Sequence, residues 1–217
     1  MALISHLDLM RFWERALRRA GIPLAYSQGF SPHPRISMAA PLALGVTSEA
    51  ELMDVYLSRW IAPQNFLSGL RRQIGPGIQV TEASAIPVNV PSLQSQVRFA
   101  EYRVVVGKEE EDRAICAGAA APADIGAEVG RFLEAKSLMW QHTRDTEVRS
   151  YDLRSLVKRL WVAEEKNGEV SLGMVLRCDP GGAGRPEQVT AALGFAGPPR
   201  SIHRTRLLLE TQMEPRR

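Results

Sequence analysis

Two short segments gather the side chains best suited to acid–base or anion chemistry. The first is Ser5-His6-Leu7-Asp8, and the second is Ser27-Gln28-Gly29-Phe30-Ser31-Pro32-His33-Pro34-Arg35. Pro32 and Pro34 restrict the backbone on both sides of His33, so this loop could hold His33 and Arg35 over a ligand. His6, at a helix start, could approach the same place. The same residues also have a plain structural use, in which Ser5 and Asp8 cap the helix and the loop makes a tight crossing. As a metal site the set is poor: neither an i,i+4 histidine pair nor a close Cys pair backs His6, Asp8 and His33. A serine hydrolase is weaker still, because Gly-x-Ser-x-Gly is absent and no acid is placed to orient either histidine.

Two further segments carry weaker signals for anions. Gly181-Gly182-Ala183-Gly184-Arg185-Pro186-Glu187 is a glycine-rich turn entering a helix, where free amides and the dipole suit a negative charge. It lacks the Gly-Lys-[Ser/Thr] of a P-loop, and such a turn is more often only a flexible connector with a cap. In Ser201-Ile202-His203-Arg204-Thr205-Arg206, strict alternation places His203 and Thr205 on one strand face and Arg204 and Arg206 on the other. The choice there lies between a solvated strand face and contact with nucleic acid. Aromatic residues make up only 6% of the chain, and no strand shows an aromatic pattern that signals base stacking.

Local pattern assigns the elements that must position these residues. Ser5 to Asp8 fits a capping box, with Ser5 as N-cap and Asp8 returning to its amide. Leu9, Trp13, Ala16, Leu17 and Ala20 then recur at helical spacing until Gly21 and Pro23. The opposite face carries Arg11, Arg15, Arg18 and Arg19, with Glu14 placed to pair Arg18. Strands are expected over 35–40, 49–57 and 78–86, with a helix over 63–74. That order is a βαββαβ unit without its first strand, and a start truncated upstream of Met1 is the expected reason. Residues 88–99 read as a connector. The second half repeats the scheme: a strand over 101–107, an acidic small-residue loop, a helix over 124–136 and a strand over 138–143. A short helical turn over 150–157, a hairpin around Asn167-Gly168, a helix over 185–193 and a strand over 202–210 follow. The predicted fold is α+β, with tandem ferredoxin-like modules at 1–87 and 100–210, the connector at 88–99 and a frayed tail at 211–217.

Composition narrows the classes. Hydrophobic residues at 45% and charged residues at 24% of 217 are those of a folded chain, and no apolar run reaches the roughly 20 residues of a membrane helix. No signal-peptide core follows Met1, so a cytoplasmic location is expected. Two isolated cysteines, Cys116 and Cys178, do not make a zinc or iron–sulfur site, and no cofactor is expected. Residues 1–98 hold nine arginines and no lysine against six acids, an excess of three that accounts for the whole net charge of +3.

Several blocks resemble the uncharacterised radical-SAM-linked protein family. They are Ser5 to Met10, Arg18 to Ser27, Gly29 to Pro34, Leu44-Gly45-Val46, and Ser48 to Glu51, with Tyr102-Arg103, Arg185-Pro186-Glu187 and Ile202 to Thr205 as later landmarks. The resemblance implies a chain encoded beside a radical SAM enzyme, or fused to the end of one. In that family the neighbouring genes often encode a ribonuclease and ribosomal proteins, so the resemblance also implies RNA. Members usually begin with a basic strand ahead of the Ser-His-Leu-Asp block, which this chain lacks. No catalytic residue carries over.

The expected function is that of a non-catalytic accessory protein that docks on the radical SAM enzyme and helps present its substrate, with RNA as the candidate. The partner would hold the cluster. The working surface is expected at His6, Asp8, Arg11, Arg15, Arg18, Ser27, His33 and Arg35, with a weaker anion surface at Arg185, His203, Arg204 and Arg206. Rival readings are an RNA-processing or RNA-modifying enzyme using His6 or His33 as acid and base, and a stand-alone RNA binder.

Overall fold

The computed structural model describes residues 4–107, 124–144, 147–195 and 197–210, with no account of the side chains of residues 142–149. The acidic loop and the tail expected at 211–217 lie outside the described residues. The architecture is α+β, with several sheets. The chain divides into two compact units: residues 1–45 with 51–96, and residues 46–50 with 97–217.

In the first unit, α1 (His6–Arg19) buries Trp13, Ala16 and Leu17 and leaves Arg11, Arg15, Arg18 and Arg19 exposed. Its stop is a Schellman motif. Gly21 adopts φ +68°, the Gly21 amide donates to the Arg18 carbonyl at 3.0 Å, and the Ile22 amide donates to Leu17 at 3.1 Å. Ile22 then joins Leu17 in the core, with Leu24, Met38 and Leu70. Strands β1 (Ile36–Met38) and β3 (Met53–Val55) pair antiparallel, and bridges Leu24–Leu57 and Tyr26–Pro34 extend the pairing. The remaining helices are α2 (Pro63–Arg71), with Pro63 in its first turn, and the short α3 (Leu93–Gln96).

Two expectations fail here. Residues 78–86 form no strand. Ile78 and Val80 pack against the core, but Arg71 Nε donates to the Val80 carbonyl at 2.8 Å and Arg71 Nη2 to Thr81 at 2.7 Å. A side chain thus takes carbonyls that a neighbouring strand would otherwise satisfy. Residues 88–96, expected as part of a connector, belong to the first unit. Asp54, only 7% exposed, accepts the Leu93 amide at 2.8 Å and anchors this segment.

In the second unit, strands β4 (Val97–Gly107), β7 (Val157–Lys166), β8 (Glu169–Asp179) and β10 (Ser201–Leu209) make one antiparallel sheet in the order β10-β4-β8-β7. β2 (Val46–Ser48) adds parallel to the outer side of β10, and β9 (Gly182–Ala183) folds back on β8. Helices α4 (Ile125–Glu134) and α5 (Pro186–Ala192) both pack on one side. There Val104, Val106, Leu172, Met174 and Leu176 meet Val129, Phe132, Val189 and Leu193. Residues 150–152, expected as part of a helical turn, instead end β6 (Glu147–Asp152), which pairs with β5 (Met139–Arg144); a 3-10 turn follows at Arg154–Leu156. The hairpin at Asn167-Gly168 forms with φ of 53° and 75°, the left-handed pair that its turn requires.

Removing the Asp54 carboxylate leaves the Leu93 amide without its acceptor. Asp54→Ala should cost about 1–3 kcal/mol in denaturant unfolding, and Asp54→Asn, which keeps an acceptor, less. Equal stability of Asp54→Ala and wild type would show that the anchor is idle.

Candidate functional site

The first unit brings most of the expected surface residues onto one connected stretch. At its start Ser5 has extended backbone, and its hydroxyl accepts the Asp8 amide at 3.2 Å. The other half of the capping box differs from expectation. The Asp8 carboxylate accepts from the Ser5 hydroxyl at 2.7 Å and lies 3.4 Å from Arg11 Nη1. The Ser5 hydrogen bond, with the charges of Arg11 and Arg15, holds the Asp8 carboxyl below its ordinary range. His6 is exposed at the head of the helix. Among the described residues no hydrogen bond or ion pair links it to Asp8 or His33.

The opposite end of α1 leads to the loop. Arg18 stands over the Tyr26 ring at 5.9 Å rather than pairing with Glu14. The Ser27 amide donates to the His33 carbonyl at 2.8 Å, and the Ser27 hydroxyl accepts the His33 amide at 3.0 Å. Ser27 therefore staples the ends of a seven-residue loop. Gly29, at φ +129°, helps turn it, and Phe30 is fully exposed on it. Beyond the loop the Arg35 guanidinium lies 4.0 Å over the Tyr56 ring. His6 and Arg18 are about 18 Å apart along the helix axis, at 1.5 Å per residue. The arrangement is an extended cationic and aromatic surface. Phe30 is its unforeseen member, and the Gly-Phe-Ser-Pro block was the signal for it.

The weaker candidates separate. The glycine-rich turn is a packed return, since a Cβ at Gly181 or Gly184 would crowd Arg177, Leu176 and Leu156. Asp179 already fills an anion's place, accepting the Gly181 amide at 2.7 Å and Arg177 Nε at 2.8 Å. Those bonds, Arg177 first, hold its carboxyl below the ordinary range. Arg185 is exposed as the N-cap residue of α5. Its charge favours ionisation of Tyr151, but burial outweighs it and raises that phenol. His203 sits 2.7 Å from the Thr47 hydroxyl through Nδ1 and 3.6 Å from Glu49 through Nε2.

Arg204 and Arg206 do not share a face, contrary to the alternation. The register shifts at Thr205, so Arg204 pairs with Tyr102 while Arg206 pairs with Glu101. Neighbouring residues of β4 point oppositely, and so Arg204 turns inward, 1% exposed, while Arg206 is exposed. Arg204 is therefore withdrawn from the surface where it was expected to meet nucleic acid. No group of three or more His, Cys, Asp or Glu among the described residues could hold a metal, and no described helix is long and apolar enough to cross a membrane.

Residues 1–186 match the model of a family described as an uncharacterized protein conserved in bacteria, DUF2344. The chain belongs to that family. Among curated proteins none matches. Among solved structures, a crystal structure of a Cbf5-Nop10-Gar1 complex aligns at 12% identity and a TM-score of 0.49. The alignment covers 94% of this chain and 46% of that one, so this DUF2344 chain spans less than half the length of its structural neighbour.

The Asp8 geometry gives a signed pH dependence. A carboxyl depressed on folding contributes stability present above its unfolded value, about 3.9, and lost as pH falls through the lower folded value. An NMR titration should find the Asp8 carboxyl below 3.9, and Ser5→Ala should raise it. No change in Ser5→Ala would show that the hydroxyl does not hold the charge.

Proposed function

We propose that this DUF2344 chain is a non-catalytic accessory protein that docks on a separately encoded radical SAM enzyme and helps present an RNA substrate. The partner's identity rests on the sequence resemblance. The observation that carries the docking role is the run of exposed arginines on α1, joined through the Arg18–Tyr26 contact to the stapled loop bearing Phe30. Exposed arginine and aromatic side chains are the types that dominate the energy of protein interfaces. His6 and His33 serve this surface as polar contacts. We also read the second unit as ferredoxin-like, because its strand order is fourth, first, third and second of its β-α-β-β-α-β elements, with the β5–β6 hairpin as an insertion. The first unit, with its two-stranded β1–β3 sheet and no strand over 78–86, lacks the strands for that reading.

Co-expression with the proposed radical SAM partner should yield a complex that survives purification at micromolar concentration. Reversing Arg11, Arg15 and Arg18 to Glu, or Phe30→Ala, should weaken it about tenfold or more, as loss of an interface hot spot does. Absence of a complex with the wild-type chain would contradict the proposal.

A further inference from the structure

We infer that the helix-free face of the second unit's sheet binds single-stranded RNA, with Trp161 and Phe99 as stacking platforms and Arg103, Lys158, Arg159 and Arg206 as phosphate contacts. Alternation decides which side chains lie there. The even-numbered residues 104 and 106 of β4, and 170 to 176 of β8, enter the core with α4 and α5. The odd-numbered residues of both strands therefore project from the other side.

Register assembles these into rows. His203, Arg103, Gly173 and Trp161 form one row across the four strands, Arg206, Glu101, Val175 and Arg159 the next, and Leu208, Phe99 and Arg177 a third. The shift at Thr205 is what returns Arg206 to this face.

Gly173 makes the first platform. A Cβ there would overlap the Trp161 indole, so the half-buried ring lies across the neighbouring strand at Gly173. Arg159 stands 5.1 Å from that ring, and the Lys158 ammonium 4.6 Å from the Phe99 ring. Arg103, Lys158, Arg159 and Arg206 are all exposed. Against these four cations the rows set Glu101, and the next row sets the exposed Glu164 opposite Ser171, while Arg177 is paired with Asp179. The Trp161 and Phe99 backbones are roughly 17 Å apart, from strand spacing and rise.

That combination of two separated π-surfaces and a cationic surround fits a flexible polyanion with aromatic bases. Stacking accepts every base, and the cations meet the backbone. The flexible Lys158 and Arg159 side chains cover the rings in the unbound chain. A base stacked on either ring would displace its cation toward the adjoining phosphate. A duplex, its bases already stacked internally, cannot use the rings in this way.

This inference deepens the RNA part of the proposed function, and it is tested without the enzyme partner. Fluorescence anisotropy with the full chain would use labelled single-stranded RNA and DNA of roughly ten nucleotides, within known single-strand site sizes, and a duplex RNA. Single strands should bind at least about tenfold more tightly than the duplex. Trp161→Ala should weaken binding about 5- to 100-fold, with Trp161→Phe retaining most of it. The exposed pair Arg103→Glu with Arg206→Glu should leave the circular dichroism spectrum unchanged. It should also flatten the slope of log affinity against log salt by about 0.7 per lost phosphate contact. Single-strand affinity weaker than about 100 µM at low salt, the weak end of non-specific binding, would overturn the inference. So would equal duplex binding, or an Arg103/Arg206 variant with wild-type affinity. DNA bound as tightly as RNA would support the stacking surface while removing RNA from the functional reading. Docking on the enzyme would stand or fall separately.

Discussion

The period-two alternation of β4 and β8, the central strands of the second unit, is the constraint on which its other features depend. Both helices pack on the side taken by Val104, Val106, Leu172, Met174 and Leu176, where burial contributes most of the stabilisation at about 1.5–3 kcal/mol per large apolar side chain. Each strand must then present its intervening residues on the opposite side. Those residues are of mixed type: Glu101, Arg103, Ser171 and Arg177 alternate with the core beside Phe99, Val105 and the buried Val175. A sheet made only to be covered on both sides would carry near-continuous hydrophobic runs. The fold thus places charge and aromatic surface on one face as a direct consequence of how it buries the other.

The first unit works by local devices rather than a large sheet. The cap at Ser5, the Schellman stop at Gly21, the Ser27 staple and the Asp54 anchor each satisfy backbone groups with nearby side chains or a single special φ. Each fixes a segment without long strand pairing. The result is an arginine-bearing helix joined to a constrained loop, suited to recognition by shape and charge. The family match covers all of this unit and extends into the second, to residue 186.

What the sequence disclosed follows the same division between local and distant causes. The Ser5 cap, the apolar stripe of α1, the Asn167-Gly168 turn and the helices opened by Pro63 and Pro186 were legible because their causes lie within a few residues. The failures came from partners far along the chain. Residues 78–86 alternate like a strand, yet Arg71 takes two of their carbonyls. Residues 46–48 join a sheet whose other strands begin at residue 97. Arg204 and Arg206 part company because β10 bulges against β4, which alternation within one segment cannot register. Trp161 and Gly173 meet only through the β7–β8 register. Low aromatic content hid the stacking surface, because two rings suffice when the sheet places them.

Photocrosslinking of a single-stranded RNA carrying 4-thiouridine to the full chain, read residue by residue by mass spectrometry, shows whether the helix-free face of the second unit binds RNA. Crosslinks should centre on Trp161 and Phe99, with flanking signal at Arg103 and Arg159. Crosslinks confined to the loop between Ser27 and His33, with none on β4 or β7, would contradict that binding.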